Sequence, residues 1–520
     1  MCRPSRTLPT LRACALALAA LALPATSRSA SAASDADVES ALVAAGPHRA
    51  ELETVLAHFE RAPDARGLDA ARFLLAHMPG KGYAVMRLHD AKGVTVPFDA
   101  LAHDSFAAAQ RTWDALEKTH GPLDFDRERT VLDVETIPAA FLIAHVEASL
   151  RALDATPRAR RPGFAAFLEY VLPYRGSEEP VEDWFGVLRA RFEKAPGSPL
   201  LEPDAAAVWR FASAEASHAL RFDERYYLHP TDQGFAEMER SKTGRCEDIT
   251  NRTTYAARAL GLVTAADYTP AWGHRDNNHA WPVLLDAEGR GSAGDGARAA
   301  KVYRKTWSRR PDALASSLPA GRVPPNRWLA NPSQIDVTDQ YGPTTDVSVR
   351  LTTDAARAEA FAYLCVFNGG EWVAIASARI EGGNVTFPKA GRGVVYLPAT
   401  HDGTKLVPAA PPRIALASGD VEVLDGEGAP QALVLTATTP EQTSVDTRVT
   451  TPVSALEPGR GYDLFAWEDG WSRTAGTASA GAAGLPVEGL SARRLYWLVA
   501  KDSRRLERPF TIEAGRQRFW

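Results

Sequence analysis

Residues 246–261 read CEDITNRTTYAARALG, and residues 279–285 read HAWPVLL. The first stretch has acids directly behind its first residue, then good helix formers, and Gly261 stands where a helix C-cap is expected. The second stretch is an apolar run closed by the turn residues DAEG, a pattern typical of a β-strand. Together they predict a mixed α+β core in which Cys246 opens a helix and His279 heads a strand.

A cysteine at a helix start faces unpaired backbone N–H groups and the positive end of the helix dipole, which favour thiolate over thiol. A nucleophilic cysteine also needs a base to take its proton. We expect His279 to be that base, and His274, in the loop GHRDNN, is an alternative. The structural alternative for Cys246 is a buried thiol or a disulfide with Cys365.

A third group should orient the imidazole. Asp286 is nearest in sequence, but seven strand residues at roughly 3.3 Å each carry it about 23 Å from His279. If a hairpin turns at 287–288, the residue facing His279 is number 296. This register predicts Asp295 as the orienting acid, although its surroundings, GRGSAGDGARA, are a poor strand.

The neighbouring residues have more than one interpretation. Trp272 and Trp281 are candidates for the walls of a substrate cleft, and core packing is equally consistent with them. The spacing of His274 and His279 is a weak metal signal without further ligands nearby, so no metal and no organic cofactor is predicted. Cys365 lies in the apolar run YLCVF, which predicts a core thiol and leaves Cys246 unpaired.

Composition limits the function classes. The chain has 520 residues, 24% of them charged, and a formal net charge of −5. These shares are those of an ordinary globular protein, and the length suggests about three domains. The acidic balance argues against a nucleic-acid partner. Four cysteines are too few for a disulfide scaffold.

The first 32 residues predict a secretory signal. Basic residues precede the apolar run ACALALAALAL, and an A-x-A site ends at Ala32. The run is about half the length needed to span a bilayer, and no later run reaches that length, so no membrane span is expected. Cleavage near Ala32 would remove Cys2 and Cys14, change the formal charge to −9, and place the mature chain outside the cell or in the periplasm.

The pattern along the mature chain predicts a multidomain protein. Amphipathic spacing predicts an α-helical region over 33–200, followed by the Cys-His core over 201–335. Short β-branched and aromatic runs predict two related, β-sandwich-like modules over 336–418 and 419–520.

The two β modules share a repeated pattern of aromatic residues. Tyr363 precedes Trp372 by nine residues, as Tyr462 precedes Trp471, and Tyr396 and Tyr496 follow in apolar runs. With two copies, the repeated pattern indicates a duplication. These aromatics are either sandwich core or exposed platforms that contact glycans.

Several motifs resemble those of one family. GRCEDITNRTTYAARALGL, ADYTPAWG, NNHAW and KVYRKTW are similar to segments of secreted bacterial proteins of the transglutaminase-like superfamily, which have a papain-like Cys-His-Asp core. So are ARFLLAHMPG and EYVLPYR upstream, and VFNGGEW and GRGVVYLPA downstream. The resemblance implies Cys246 as nucleophile, His279 as base and Gln233 as an upstream oxyanion donor. The family acid usually ends a well-formed strand, so the third position stays open between Asp295 and another polar group.

The resemblance also implies an activity. We expect a thiol-dependent hydrolase that acts through an acyl-enzyme on amides of peptides, glycopeptides or cell-wall fragments. A transamidase is one alternative. The other is a non-catalytic surface or glycan-binding protein that keeps a decayed core.

Overall fold

The structure, a computed structural model, describes residues 33–520 except 293–294, 319–321, 441, 444–449, 452–454, 475–477, 502 and 504–505. The predicted signal, residues 1–32, lies outside these ranges. Within them, no helix combines the length and the apolar character that crossing a membrane requires.

Helices dominate the chain up to residue 219, as the amphipathic patterns predict. They are α1 (Asp35–Ala44), α2 (Arg49–Glu60), α3 (Ala65–Ala76), α4 (Phe106–His120), α5 (Asp133–Thr136), α6 (Ala139–Ala155), α7 (Phe164–Tyr170), α8 (Trp184–Lys194) and α9 (Ala205–Ala219). Helices α1, α2, α3, α5, α6 and α7 share one buried cluster, which also includes Trp307 from the core, whereas α8 and α9 share another with the Cys246 helix. The helical region therefore packs directly on the core.

One feature of this region differs from the sequence prediction. A long antiparallel strand pair, β1 (Gly82–Asp90) and β2 (Leu123–Leu132), interrupts the helices, and α4 lies in the segment that joins the two strands. The segment LDFDRERTVL is mostly charged and largely exposed, so it lacks the apolar alternation that marks a half-buried strand.

The core consists of a sheet and the helix packed on it. It contains β3 (Arg221–Phe222), α10 (Phe235–Ser241), β4 (Thr243–Gly244), α11 (Cys246–Ala259), β5 (Thr264–Thr269), β6 (His279–Leu285), β7 (Gly291–Ser292), β8 (Tyr303–Lys305), the short helices α12 (Leu314–Ser317) and α13 (Arg327–Ala330), and β9 (Gln334–Asp336). The sheet order is β7-β6-β5-β8-β9, all antiparallel. Strand β9 extends this sheet to Asp336, just past the boundary expected at 335.

The C-terminal part is built from antiparallel sheets, as predicted. Its elements are β10 (Thr344–Arg350), α14 (Asp354–Ala358), β11 (Phe361–Asn368), β12 (Glu371–Arg379), β13 (Asn384–Gly391), β14 (Val394–His401), β15 (Leu406–Pro408), β16 (Arg413–Ala415), β17 (Val421–Val423), β18 (Gln431–Leu435), β19 (Gln442–Thr443), β20 (Thr450–Thr451), β21 (Gly461–Trp467), β22 (Trp471–Arg473), β23 (Ala478–Ser479), β24 (Leu485–Leu490), β25 (Tyr496–Ala500), β26 (Pro509–Glu513) and β27 (Arg516–Phe519).

The repeated aromatic residues lie on corresponding strands of two sheets. One sheet has the order β12-β11-β14-β16-β17, and the other has the order β22-β21-β25-β26-β27. The repeated tyrosines are buried in their strands. The repeated tryptophans are half-buried, and they pack at the junction of the modules, with Trp372 5.5 Å from Trp467 and Trp471 5.8 Å from Phe367 between ring centroids. This packing agrees with the core alternative for these residues.

Candidate active site

Helix α11 begins at Cys246, as the sequence predicts. The carboxylate of Asp248 accepts the backbone N–H of Arg245 at 2.9 Å, which satisfies one of the free donors at the helix start. Gly244 lies so close that a Cβ there would be 2.7 Å from the Cβ of Asp248. At the other end, Gly261 has a φ of +78° and closes the helix. The helix start is therefore fixed tightly beside the sheet.

The cysteine thiol is held as a thiol. Its Sγ donates to Oε2 of Glu247 at 3.0 Å, and the residue is 8% exposed. Burial, with the Glu247 carboxylate, raises the pKa of Cys246 well above its usual range, and the backbone N–H of Ala280 opposes this rise. The predicted preference for thiolate is therefore wrong for this geometry, because burial and a neighbouring carboxylate outweigh the helix terminus.

His279 begins β6, as predicted, and pairs with Thr269 on β5. Its half-buried ring lies between two indoles, 6.4 Å from Trp272 and 5.5 Å from Trp281 between ring centroids. Both tryptophans are buried in the core cluster under the sheet, and Nε1 of Trp281 donates to the hydroxyl of Tyr341 at 2.9 Å. The indoles thus support the histidine from the protein interior and do not form the open walls of a cleft.

The hairpin that was expected to deliver Asp295 is shorter than the prediction requires. Strand β7 pairs only Leu284 with Ser292 and Leu285 with Gly291, one position away from the predicted register. Asp295 lies beyond the strand, exposed in a turn. Residues 293–294 lie outside the described ranges, and the role of Asp295 as the orienting acid stays a prediction.

Gln233 lies beside the helix start, but its side chain is already used. Its Nε2 donates to the carbonyl of Thr243 at 2.9 Å and to Oδ2 of Asp248 at 3.1 Å. Its Oε1 accepts from Tyr226 and Ser241. An amide has only two N–H bonds to give, so Gln233 has no donor left for an oxyanion in this geometry.

Two other residues named from sequence are also placed. His274 packs edge-on against Trp272, and burial lowers its pKa to about 3. Such a ring is a poor proton acceptor near neutral pH. Cys365 is fully buried in β11 and, like Cys246, is a free thiol, so the predicted core thiol is confirmed.

A small cleft opens beside His279 and beside Glu247, the residue that follows Cys246. Its volume is about 80 Å³, and Glu247, His279, Lys305 and Arg327 are among the residues that line it; we call it the His279 cleft. Glu247 and Lys305 were missed from the sequence. Adjacency to Cys246 was the available signal for Glu247, whereas Lys305 carried no local signal.

No protein-family model matches this chain. The curated proteins likewise contain no significant match to it.

Proposed function

We propose that the protein is a secreted, thiol-dependent amide hydrolase of the transglutaminase-like superfamily. The observation that carries the proposal is the arrangement of two elements. Cys246 is the first residue of α11 and His279 is the first residue of β6, which packs on α11. The backbone N–H of Ala280, next to His279, donates a hydrogen bond to the cysteine sulfur. Placing a thiol and an imidazole at the ends of two packed elements is what nucleophilic catalysis requires.

The proposed reaction proceeds through a thioester. His279 takes the Sγ proton of Cys246, and the sulfur attacks the amide carbonyl while the backbone N–H of Cys246 stabilises the oxyanion. The C–N bond breaks, and His279 returns the proton to the leaving amine. Water, deprotonated by His279, then cleaves the thioester, which releases the acid and restores the thiol. If an amine replaces water, the same steps give transamidation.

The resting hydrogen bond from Cys246 to Glu247 adds one requirement. The S–H must leave the carboxylate of Glu247 before His279 can accept the proton. We propose that substrate entering the His279 cleft, which Glu247 and His279 both line, makes this exchange.

The test uses pools of peptides, glycopeptides and cell-wall fragments, with release of amines as the readout and intact mass as the check for an acyl adduct. We expect turnover by the wild type, none by Cys246→Ala, and a loss of about 10²–10⁴-fold in His279→Gln. His218→Gln, on the exposed surface of α9, is the matched control and should keep full activity. Turnover that survives Cys246→Ala would contradict the proposal.

A second candidate is a non-catalytic surface or glycan-binding protein with a decayed core. The raised pKa of Cys246 and its hydrogen bond to Glu247 favour this candidate. It predicts that no pool yields amine or adduct, while binding to glycan fragments persists unchanged in Cys246→Ala.

A further inference from the structure

A larger cavity adjoins the His279 cleft. It has a volume of about 200 Å³ and shares Ser177, Glu178, Lys305 and Asn331 with the cleft. The β1–β2 strand pair forms one wall, and the segment around Trp307 forms another. We call it the lysine cavity, because Lys81 and Lys305 both line it. The lysine cavity is therefore next to the cleft that His279 lines.

Lys81 contributes a positive charge to this cavity. Its Nζ donates to Oγ of Ser333 at 3.2 Å and lies 4.4 Å from the ring centroid of Trp307. Among the described residues, it is in no ion pair. Burial lowers the pKa of Lys81 to about 8, although the charges of Glu169 and Asp133 act in the opposite direction.

Lys305 is arranged in the same way. Its Nζ donates to Oγ of Ser177 at 2.6 Å and lies 5.7 Å from the ring centroid of Tyr268. It too has no ion-pair partner in the described part of the chain. Each ammonium is thus positioned by a hydroxyl and an aromatic ring, and it keeps further N–H donors for a ligand.

Two other cations that line the cavity are already used. Arg175 forms a buried ion pair with Asp133. Arg258 donates to the carbonyl oxygens of Tyr170, Pro173 and Arg175. Arg175 is therefore committed to Asp133, and Arg258 uses its Nε and Nη1 for backbone carbonyls.

Among the described residues the nearby acids form no ion pair with the lysines, although the charges of Glu169 and Asp133 act on Lys81 and the charge of Lys305 acts on Asp232. Glu169 accepts the backbone N–H groups of Trp307 and Ser308 at 2.5 and 2.9 Å. Glu178 is exposed at the border, as is Arg127. Both ammonium ions line the cavity and keep further N–H donors, and the cavity therefore favours an anion.

We propose that Lys81 and Lys305 bind a carboxylate of the substrate, so that the amide cleaved at Cys246 belongs to an acidic peptide. That the peptide reacts through an amide at Cys246 rests on the proposed function. A carboxylate forms strong, charge-assisted hydrogen bonds with ammonium groups, and in a partly buried cavity it replaces the water that each lysine has lost. The cavity thus selects the substrate, while the adjoining cleft holds the reacting groups.

Binding to Cys246→Ala protein tests this proposal without depending on catalysis. The probes are pairs of N-acetyl alanine peptide amides of one length, in which either Glu or Gln replaces one alanine at each position in turn. We expect at least one Glu peptide to bind about tenfold more tightly than its Gln partner, measured by titration calorimetry. Lys305→Met and Lys81→Met should each abolish that preference.

Two further variants make the outcome decisive. Lys118→Met, an exposed lysine at the end of α4, should leave the preference unchanged. Lys305→Glu should reverse it, so that the peptide with Lys at that position binds more tightly than the one with Glu. If no pair shows a preference, or if Lys118→Met removes it equally, the proposal is overturned. Loss of catalysis with the preference intact would instead contradict only the proposed function.

Discussion

At the residue scale, the protonation state of Cys246 follows from a competition between opposite electrostatic effects. A helix N-terminus offers about half a positive charge, spread over several backbone N–H groups. Against it stand the loss of water around a residue only 8% exposed and the full negative charge of Glu247, whose carboxylate accepts the S–H at 3.0 Å. The sequence revealed the helix start but not the rotamer that turns Glu247 back onto the sulfur.

Glu247→Gln tests this competition. The change removes the negative charge and keeps the length of the side chain, so the pKa of Cys246 should fall. Because the thiolate is the reactive form, alkylation by iodoacetamide should be faster than in the wild type at each pH between 6 and 10. The rate is read by peptide mass spectrometry, with fully buried Cys365 as the internal reference.

The matched control is Glu60→Gln, an exposed change at the end of α2. It should leave the pH dependence of alkylation at Cys246 unchanged. An unaltered rate in Glu247→Gln would mean that burial alone keeps the thiol protonated, and Glu247 would lose its assigned role.

At the element scale, the start of α11 depends on one buried carboxylate. Asp248 accepts the backbone N–H groups of Arg245 and Gln233, each at 2.9 Å, and also Nε2 of Gln233. Burial, together with the nearby charge of Asp232, raises the pKa of Asp248 to about 6. The helix start therefore contains an acid that the folded protein prefers to keep protonated.

The direction in which stability changes with pH follows from the difference between the folded and unfolded pKa values of Asp248. Because the folded pKa of Asp248 lies above the unfolded value, its contribution to stability declines as pH rises from about 4 to about 6. In Asp248→Asn, this decline, about 3 kcal/mol in free energy of unfolding, should disappear. Urea denaturation at a series of pH values compares the two proteins.

Asp64 provides a control of opposite sign. It caps α3, and the side chain of Arg66 lowers its pKa. Asp64 therefore stabilises the folded protein above its unfolded pKa, and this stabilisation is lost as pH falls. Asp64→Asn should remove a small rise in the free energy of unfolding with increasing pH. Equal pH profiles for wild type and Asp248→Asn would contradict the assignment of a raised pKa to Asp248.

Elements with strong local patterns were predictable, and those fixed by tertiary contacts were not. Helix α11 and strand β6 have clear end signals in Gly261 and in the DAEG turn, and both begin where the sequence predicts. The β1–β2 strand pair was missed because its charged second strand lacks alternation. Hairpin arithmetic gave a register that differs by one position from the observed pairing of β6 with β7, so the role of Asp295 stays a prediction. Gln233 was found in the right place, but its hydrogen-bond partners follow from the fold alone.

At the scale of the whole molecule, the loop before His279 is tied to both β modules by Arg508. The guanidinium of this fully buried residue donates to the carbonyl oxygens of Gly273, Phe367 and Trp520 at 2.7–2.9 Å, and to Asp276 at 3.1 Å. A single side chain thus joins the core loop, strand β11 and the C-terminal residue. The β modules thereby help to hold the loop that leads into β6.

Arg508→Met should therefore affect the site from a distance. The change removes the hydrogen bonds that Arg508 donates to three carbonyls and its ion pair with Asp276, and a loss of about 3–5 kcal/mol in free energy of unfolding is expected. Amide exchange should also rise over residues 270–278, since Gly273 and Asp276 lose their anchor, whereas exchange in α2 should not change. Arg516→Met, exposed on β27, is the control for removing an arginine from the same module. If Arg508→Met lowers stability but leaves exchange in 270–278 unaltered, Arg508 does not position the His279 loop, and the hydrogen bonds from Asn368 to the carbonyl oxygens of Trp272, Arg275 and Asn277 hold it without Arg508.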